Sequence, residues 1–182
     1  INSAEALTAW FNPTINSYKR INAPVTASGA TWAPNTITYS GNNRTHMIRV
    51  PGPGRFELRL MDGATNPYLL QAGILAAGID GIEKKRNPGK PINVDMYKDG
   101  HKVKGAKKLP LTLDKALSHL NKSKVLKDAF SKETINSYIK LKNIEIKKYH
   151  SSNTKKIGFK GSKQSNKKNI ITQWEKDNTL DC

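Results

Sequence analysis

The 182-residue chain carries six arginines, and five of them lie between positions 20 and 59, whereas 24 of its 25 lysines come after position 80. Arg44, Arg49, Arg55 and Arg59 surround one carboxylate, Glu57, in the stretch Asn-Asn-Arg-Thr-His-Met-Ile-Arg-Val-Pro-Gly-Pro-Gly-Arg-Phe-Glu-Leu-Arg that starts at Asn42. Guanidinium is a planar, permanently charged fork that grips phosphate or carboxylate through paired hydrogen bonds. A solvated basic face would use lysine as readily as arginine, and this stretch does not. The segregation points to a site for an anionic substrate. From the residues alone Glu57 has two readings of equal weight: a catalytic carboxylate, or a strand glutamate neutralised by Arg55 and Arg59.

The elements that must position these groups follow from local pattern. Residues 36–39 and 45–50 read as strand segments, Pro51-Gly52-Pro53-Gly54 as a turn, and 55–60 as a returning strand. Strand side chains alternate between faces, so Arg55, Glu57 and Arg59 share one. Upstream, residues 4–11 read as a helix stopped by Asn12-Pro13, and 16–36 as a long loop of the functional or disordered kind. Asn66-Pro67 opens the clearest helix, with an amide N-cap and proline at the first helical position. It lies within 65–88, and Lys84, Lys85 and Arg86 suit its C-terminus. A Gly/Pro/Lys connection over 87–110 contains a short strand or bound loop at 94–97. Amphipathic helices follow near 113–121, 123–130 and 132–149, inside a helical region spanning 111–150. Residues 151–168 read as a flexible insertion and 170–176 as a terminal helix. The fold class is α+β: an antiparallel sheet portion with helices packed on it.

A formal charge of +17 raises the question of nucleic acid or an anionic membrane. The lysines are scattered over loops and helix faces without interleaved stacking aromatics, which favours a lysine-rich surface. A non-catalytic basic remnant that binds nucleic acid stands as the alternative from another class. No run of about 18 apolar residues suggests a membrane span. The single cysteine, Cys182, offers no disulfide framework and suits a reducing cytoplasm. The chain opens on Ile1 directly before a helical stretch, so a C-terminal piece of a larger protein is expected.

Five blocks carry a resemblance. Asn16-Ser17-Tyr18-Lys19-Arg20, Asn43 to Pro51, Arg55-Phe56-Glu57-Leu58-Arg59, Asp62 to Leu69 and Ala76-Ala77-Gly78-Ile79-Asp80-Gly81-Ile82 resemble, in order and spacing, the C-terminal part of the glutamine synthetase catalytic domain. Ile21-Asn22-Ala23-Pro24 and Ser28 to Thr36 are similar to the branch that includes the γ-glutamylmethylamide synthetases. The resemblance implies that the whole chain, 1–182, is one portion of that domain. It implies an ATP-dependent ligase that joins glutamate to ammonia or methylamine through γ-glutamyl phosphate, needs Mg²⁺ or Mn²⁺, and works as a homo-oligomeric ring. Ordinary glutamine synthetase of nitrogen assimilation is the alternative. Glu57 resembles a ligand of the metal that coordinates the nucleotide phosphates. Arg44 and Arg49 resemble the arginines at the transferred and nucleotide phosphates, with Arg55 a further nucleotide-side candidate. Arg59 resembles the arginine beside the acyl phosphate and substrate carboxylate, and Arg20 the one that grips glutamate. Catalysis would rest on Arg44 and Arg59, because phosphoryl transfer to a carboxylate brings anions together and needs cations to offset them.

One departure concerns the amine. The family's Gly-Tyr-Glu-Ala-Pro block, whose glutamate helps deprotonate ammonium, is replaced by Ile21-Asn22-Ala23-Pro24-Val25-Thr26. No acidic residue lies between Arg20 and Glu57. With Trp32 in the same loop, that loss fits a methylated amine. His46 stands where the family has a small or apolar residue and reads as structural. His101, His119 and His150 lack metal-ligand spacing and read as surface residues. The sequence around Tyr97 matches no nucleotidylation motif.

Overall fold

The computed structural model describes residues 1–23, 32–154 and 172–179. Helix α1 (Ala4–Phe11) lies at the centre, and every residue of it except Glu5 is buried. Its Trp10 indole packs edge-on against Phe130 (5.0 Å) and Tyr138 (6.3 Å), the geometry that aromatic quadrupoles favour. Helix α2 (Ile15–Ile21) follows after Pro13, then three strands, β1 (Tyr39–Ser40), β2 (Ile48–Gly52) and β3 (Arg55–Leu58), and the long helix α3 (Pro67–Glu83). Helices α4 (Leu113–Lys122), α5 (Lys124–Phe130), α6 (Lys132–Thr154) and α7 (Gln173–Thr179) complete the described chain. In α4, Leu113, Ala116, Leu117 and Leu120 are buried at i, i+3, i+4 and i+7, one apolar stripe turned to the core that α1 occupies.

The hairpin forms as expected, turned by Pro53-Gly54 with Gly54 at φ +72, the positive value that a turn places on glycine after proline. β1 departs from the expected antiparallel sheet: it is two residues long and parallel to β2. The register between β2 and β3 holds one irregularity. Gly52 faces Arg55 but Arg49 faces Glu57, so β2 carries one extra residue between the two pairs. Pro51, which has no N–H to give a ladder, sits in this bulge.

Three further expectations are corrected. The segment read as a loop from position 16 begins as α2, because Thr14 and Ser17 form a reciprocal capping box that starts a helix too short to show a periodic pattern. α6 runs to Thr154, so residues 151–154 of the expected insertion are helical; 155–168 lie outside the described residues. The terminal helix, expected over 170–176, runs over Gln173–Thr179, with 170 and 171 outside the described residues. Pro24 and Ser28 to Thr31, part of the branch resemblance, also lie outside the described residues. α7 is tied to α2 by Glu175, fully buried, which accepts from Lys19 Nζ and from the Thr172 amide (2.7 Å) and hydroxyl (2.8 Å).

α3 begins as expected: the Asn66 side chain accepts from the Tyr68 and Leu69 amides (3.0 and 3.1 Å), with Pro67 at the first position. Its end is set by the buried Asp80, which pairs with Lys84 and Arg86 as the chain turns through Lys85 at φ +47. Where α3 crosses α1, Gly73 permits the approach. A Cβ there would lie 2.9 Å from Leu7 Cδ2 and 3.1 Å from the Trp10 ring.

Two outcomes are expected. Gly73→Ala gains about 1 kcal/mol of helix propensity but overpacks a contact whose relief costs roughly 1–3 kcal/mol. Net destabilisation in thermal or urea unfolding should result, because the Trp10 ring cannot turn aside; a stabilised variant would show the crossing to be loose. Asp80 is held by Arg86 and Lys84, which pull its carboxyl from an ordinary 3.8 to about 2. A depressed carboxyl contributes stability above its unfolded value and loses it as pH falls through the folded value. The stability gap between wild type and Asp80→Asn should therefore close as pH falls from 3.8 to about 2. A gap constant over that window would remove the ion cluster from α3's stability.

A carboxylate ringed by guanidinium groups: the candidate active site

Hairpin β2–β3 gathers four of the sequence-predicted residues. Arg49 lies opposite Glu57 and donates from Nη1 to both carboxylate oxygens, each at 2.7 Å. Arg55 Nη2 stands 3.3 Å from Oε1, and Arg59 Nη1 3.8 Å from Oε2. The partner that holds Glu57 is thus Arg49 from across the sheet rather than its same-strand neighbours. Arg49 is the most buried of the three, its side chain 11% exposed against 34% for Arg59 and 66% for Arg55. Its Nε and Nη2 both donate to Asn42 Oδ1, so all three of its nitrogens are engaged.

The bulge decides this pairing. Counted back from Gly52 opposite Arg55 without the extra residue, Arg49 would face Leu58 and project from the opposite face to Glu57. One inserted residue moves the whole arginine side chain to the carboxylate's face.

The Arg49 hydrogen bonds, with the charges of Arg49, Arg55 and Arg59, hold the Glu57 carboxyl below the ordinary carboxylate value. It stays ionised at neutral pH. A carboxylate has about four lone-pair directions. Arg49 and Arg55 take two on Oε1 and Arg49 takes one on Oε2, while Arg59 is too far for a hydrogen bond. One direction on Oε2 is left for a further partner, so Glu57 fits a single-oxygen ligand of a hard divalent cation. Among the described residues no group of three or more His, Cys, Asp or Glu side chains gathers to hold a metal, so other ligands would have to come from elsewhere.

Arg44 is exposed, and among the described residues its side chain makes no hydrogen bond. Its backbone is fixed on both sides. Asn43 Oδ1 accepts from the Thr45 amide (2.9 Å) and hydroxyl (2.7 Å), while Asn43 Nδ2 donates to the Val94 carbonyl (3.0 Å). The Met96 amide donates to Thr45 Oγ1 (2.8 Å). The segment 94–97 is therefore a bound loop, the second of its two expected forms. His46 completes the anchor: fully buried, with Nε2 2.9 Å from the Val94 carbonyl and Nδ1 3.0 Å from Thr38 Oγ1. A carbonyl can only accept, so the proton belongs on Nε2 and Nδ1 accepts from the hydroxyl. Burial lowers the pKa of His46, and the imidazole is neutral and structural, as its position suggested. Trp32 stands edge-on to Tyr97, on the same bound loop, at 5.3 Å.

Arg20 stands apart from the hairpin cluster, half-buried on α2. Its Nη2 donates to Asn12 Oδ1 (2.8 Å) and to the carbonyl of Leu60, the residue after Arg59 (2.7 Å). Sequence reasoning missed the supporting asparagines, Asn12, Asn42 and Asn43. Their only signal was an amide beside a proline or a turn.

Fold and site together define the class: an α+β module whose hairpin presents guanidinium groups around one ionised carboxylate, equipped to handle anions. The chain belongs to the glutamine synthetase family; residues 1–158 match the model of the glutamine synthetase catalytic domain. It is 54% identical over 178 residues to glutamine synthetase of Rhizobium meliloti, covering 98% of this chain and 37% of that protein. It is 42% identical over 152 residues to glutamate–methylamine ligase of Methyloversatilis universalis, covering 82% of this chain and 34% of that protein. Among solved structures, a GmaS/ADP complex is similar along the whole of this chain and 37% of its own, with a TM-score of 0.77 and 49% identity. The chain thus spans a little over a third of the length of these relatives. No helix among the described residues is long and apolar enough to cross a membrane.

The Arg49–Glu57 geometry has a direct check. Arg49→Lys should move the Glu57 carboxyl titration, followed by NMR, up towards its ordinary 4.5, since one ammonium cannot bridge both oxygens and Asn42. An unmoved titration would assign the depression to Arg55 and Arg59 instead.

Proposed function

We propose that this chain forms the arginine-rich wall of an ATP-dependent ligase that makes a γ-glutamyl amide from glutamate and an amine. The observation that carries this reading is the single ionised carboxylate held by Arg49 across the hairpin, with Arg55 and Arg59 beside it, in a chain of this family. Arg49 keeps Glu57 ionised and aimed. Glu57 would hold Mg²⁺ or Mn²⁺ through the remaining direction on Oε2, and the ion would supply positive charge to offset the nucleotide phosphates. Arg44 extends its charge to the transferred phosphate, with Arg49 and Arg55 on the nucleotide side. Arg20 and Arg59 hold glutamate, and Arg59 offsets the charge that grows as the γ-carboxylate takes the phosphoryl group. The amine then displaces phosphate. The remaining ligands and the amine base would come from parts of the protein outside these 182 residues, in a cytoplasmic homo-oligomeric ring. The chain by itself should release no phosphate from ATP and glutamate.

For the amine we favour methylamine at least on a par with ammonia. No acidic residue lies between Arg20 and Glu57 to capture ammonium, and Trp32 packs edge-on against Tyr97, on the loop tied to Asn43 and Thr45. One buried methyl is worth only about 0.8 kcal/mol, so the preference should be modest. The relatives themselves divide, some named glutamine synthetase and one glutamate–methylamine ligase.

In the full-length protein, Glu57→Ala should lower metal–nucleotide affinity and turnover together. Arg59→Lys should lose roughly a hundredfold in kcat/KM although charge is kept, because an ammonium cannot reproduce the fork. Near-normal kinetics in both would make the cluster structural. The methylamine-to-ammonia ratio of kcat/KM, counted per unprotonated amine, should be one or more; a ratio far below one would identify an ammonia-specific glutamine synthetase.

A further inference from the structure

Asn12 is fully buried where α1 ends, and none of the roles above uses it. Both ends of its amide are committed. Oδ1 accepts from Arg20 Nη2 at 2.8 Å, and Nδ2 donates to the Leu60 carbonyl at 3.2 Å. Arg20 Nη2 donates to that same carbonyl at 2.7 Å, which closes a three-cornered network. The Asn12 backbone is equally fixed: its amide donates to the Thr8 carbonyl (2.9 Å), and Pro13 restricts its conformation. The strand end it meets is pinned to α1 as well, since the Asp62 amide (3.0 Å) and Thr65 hydroxyl (2.7 Å) both donate to the Phe11 carbonyl.

This arrangement does more than satisfy a buried amide. An arginine side chain has many rotamers, and ordering it requires a rigid acceptor on one side of the fork. Asn12 and Leu60 fix Nη2, while Nη1 makes no hydrogen bond among the described residues and Nε is buried without a partner. The same carbonyl belongs to the residue next to Arg59, so one network sets the position of Arg20 relative to Arg59.

We infer that Asn12 is a positioning residue for the acid substrate: it locks Nη2 of Arg20 to the backbone beside Arg59, and so sets the direction in which Nη1 of Arg20 is offered to the substrate carboxylate. The inference rests on the reading that Arg20 and Arg59 meet glutamate, and the test separates the two.

In the full-length enzyme, Asn12→Ala should raise the KM for glutamate about tenfold, the scale of one hydrogen bond to a charged group, and leave the KM for ATP within about twofold. Arg20→Ala should raise the glutamate KM at least as far. Because Asn12 acts through Arg20, the double variant should match Arg20→Ala alone. Asn12→Asp keeps the oxygen that Arg20 meets and nearly the original shape, so it serves should Asn12→Ala fail to fold. Its charge offsets the guanidinium, so it too should raise the glutamate KM selectively. Equal rises in both KM values, or additive effects in the double variant, would overturn the positioning role and leave Asn12 as a packing residue. A glutamate KM unchanged by Arg20→Ala would overturn the assignment of Arg20 itself, and the role of Asn12 with it.

Discussion

Four guanidinium groups in sixteen residues repel one another, and the hairpin must relieve that repulsion in order to form. A charge pair at about 4 Å is worth roughly 1 kcal/mol in bulk water and several times more near a protein surface, so where the one counter-charge sits matters more than how many cations there are. Glu57 sits opposite the most buried of them, Arg49, which leaves the more exposed Arg55, Arg59 and Arg44 to face solvent. The same pairing does two jobs. It lets a cationic strand pair fold, and it leaves a surplus of positive charge that only an anion would balance.

The site's supports are polar side chains, of which Asn12 and His46 are fully buried, joined by hydrogen bonds. Asn42 takes the back of the Arg49 fork, Asn43 and His46 share the Val94 carbonyl, and Asn12 shares the Leu60 carbonyl with Arg20. An unpaired buried donor costs more than a made bond gains, so such networks hold one geometry and resist others. Two of these networks join segments distant in sequence: 43–46 to 94–96, and 12–20 to 60. The hairpin and α2, which carry Arg49, Arg55 and Arg20, are therefore braced by polar contacts, beside an apolar core that includes α1 and α4.

Much of this was legible along the chain. The separation of arginine from lysine marked the site, the Pro/Gly turn marked the hairpin, and Asn66-Pro67 marked the start of α3. The i, i+3, i+4 spacing marked the C-terminal helices to within a few residues. These are local signals, decided by residues within about two turns or one strand of each other. α2 was missed because seven residues give no period to count, and its start depended on a side-chain pair, Thr14 and Ser17, that sequence reasoning passed over.

The sequence by itself determined the family, the hairpin, and the fact that Glu57 would lie among arginines, because alternation along one strand puts Arg55, Glu57 and Arg59 on one face whatever else happens. It could not determine which arginine holds the carboxylate. That depended on register, and a single extra residue beside Pro51 turned Arg49 from the Leu58 face to the Glu57 face. Nor could it show that Arg20 would be tied through Asn12 to the carbonyl after Arg59, 40 positions away. Register and long-range polar closure depend on the whole sheet and on segments far apart in the chain, so only the tertiary structure decided them.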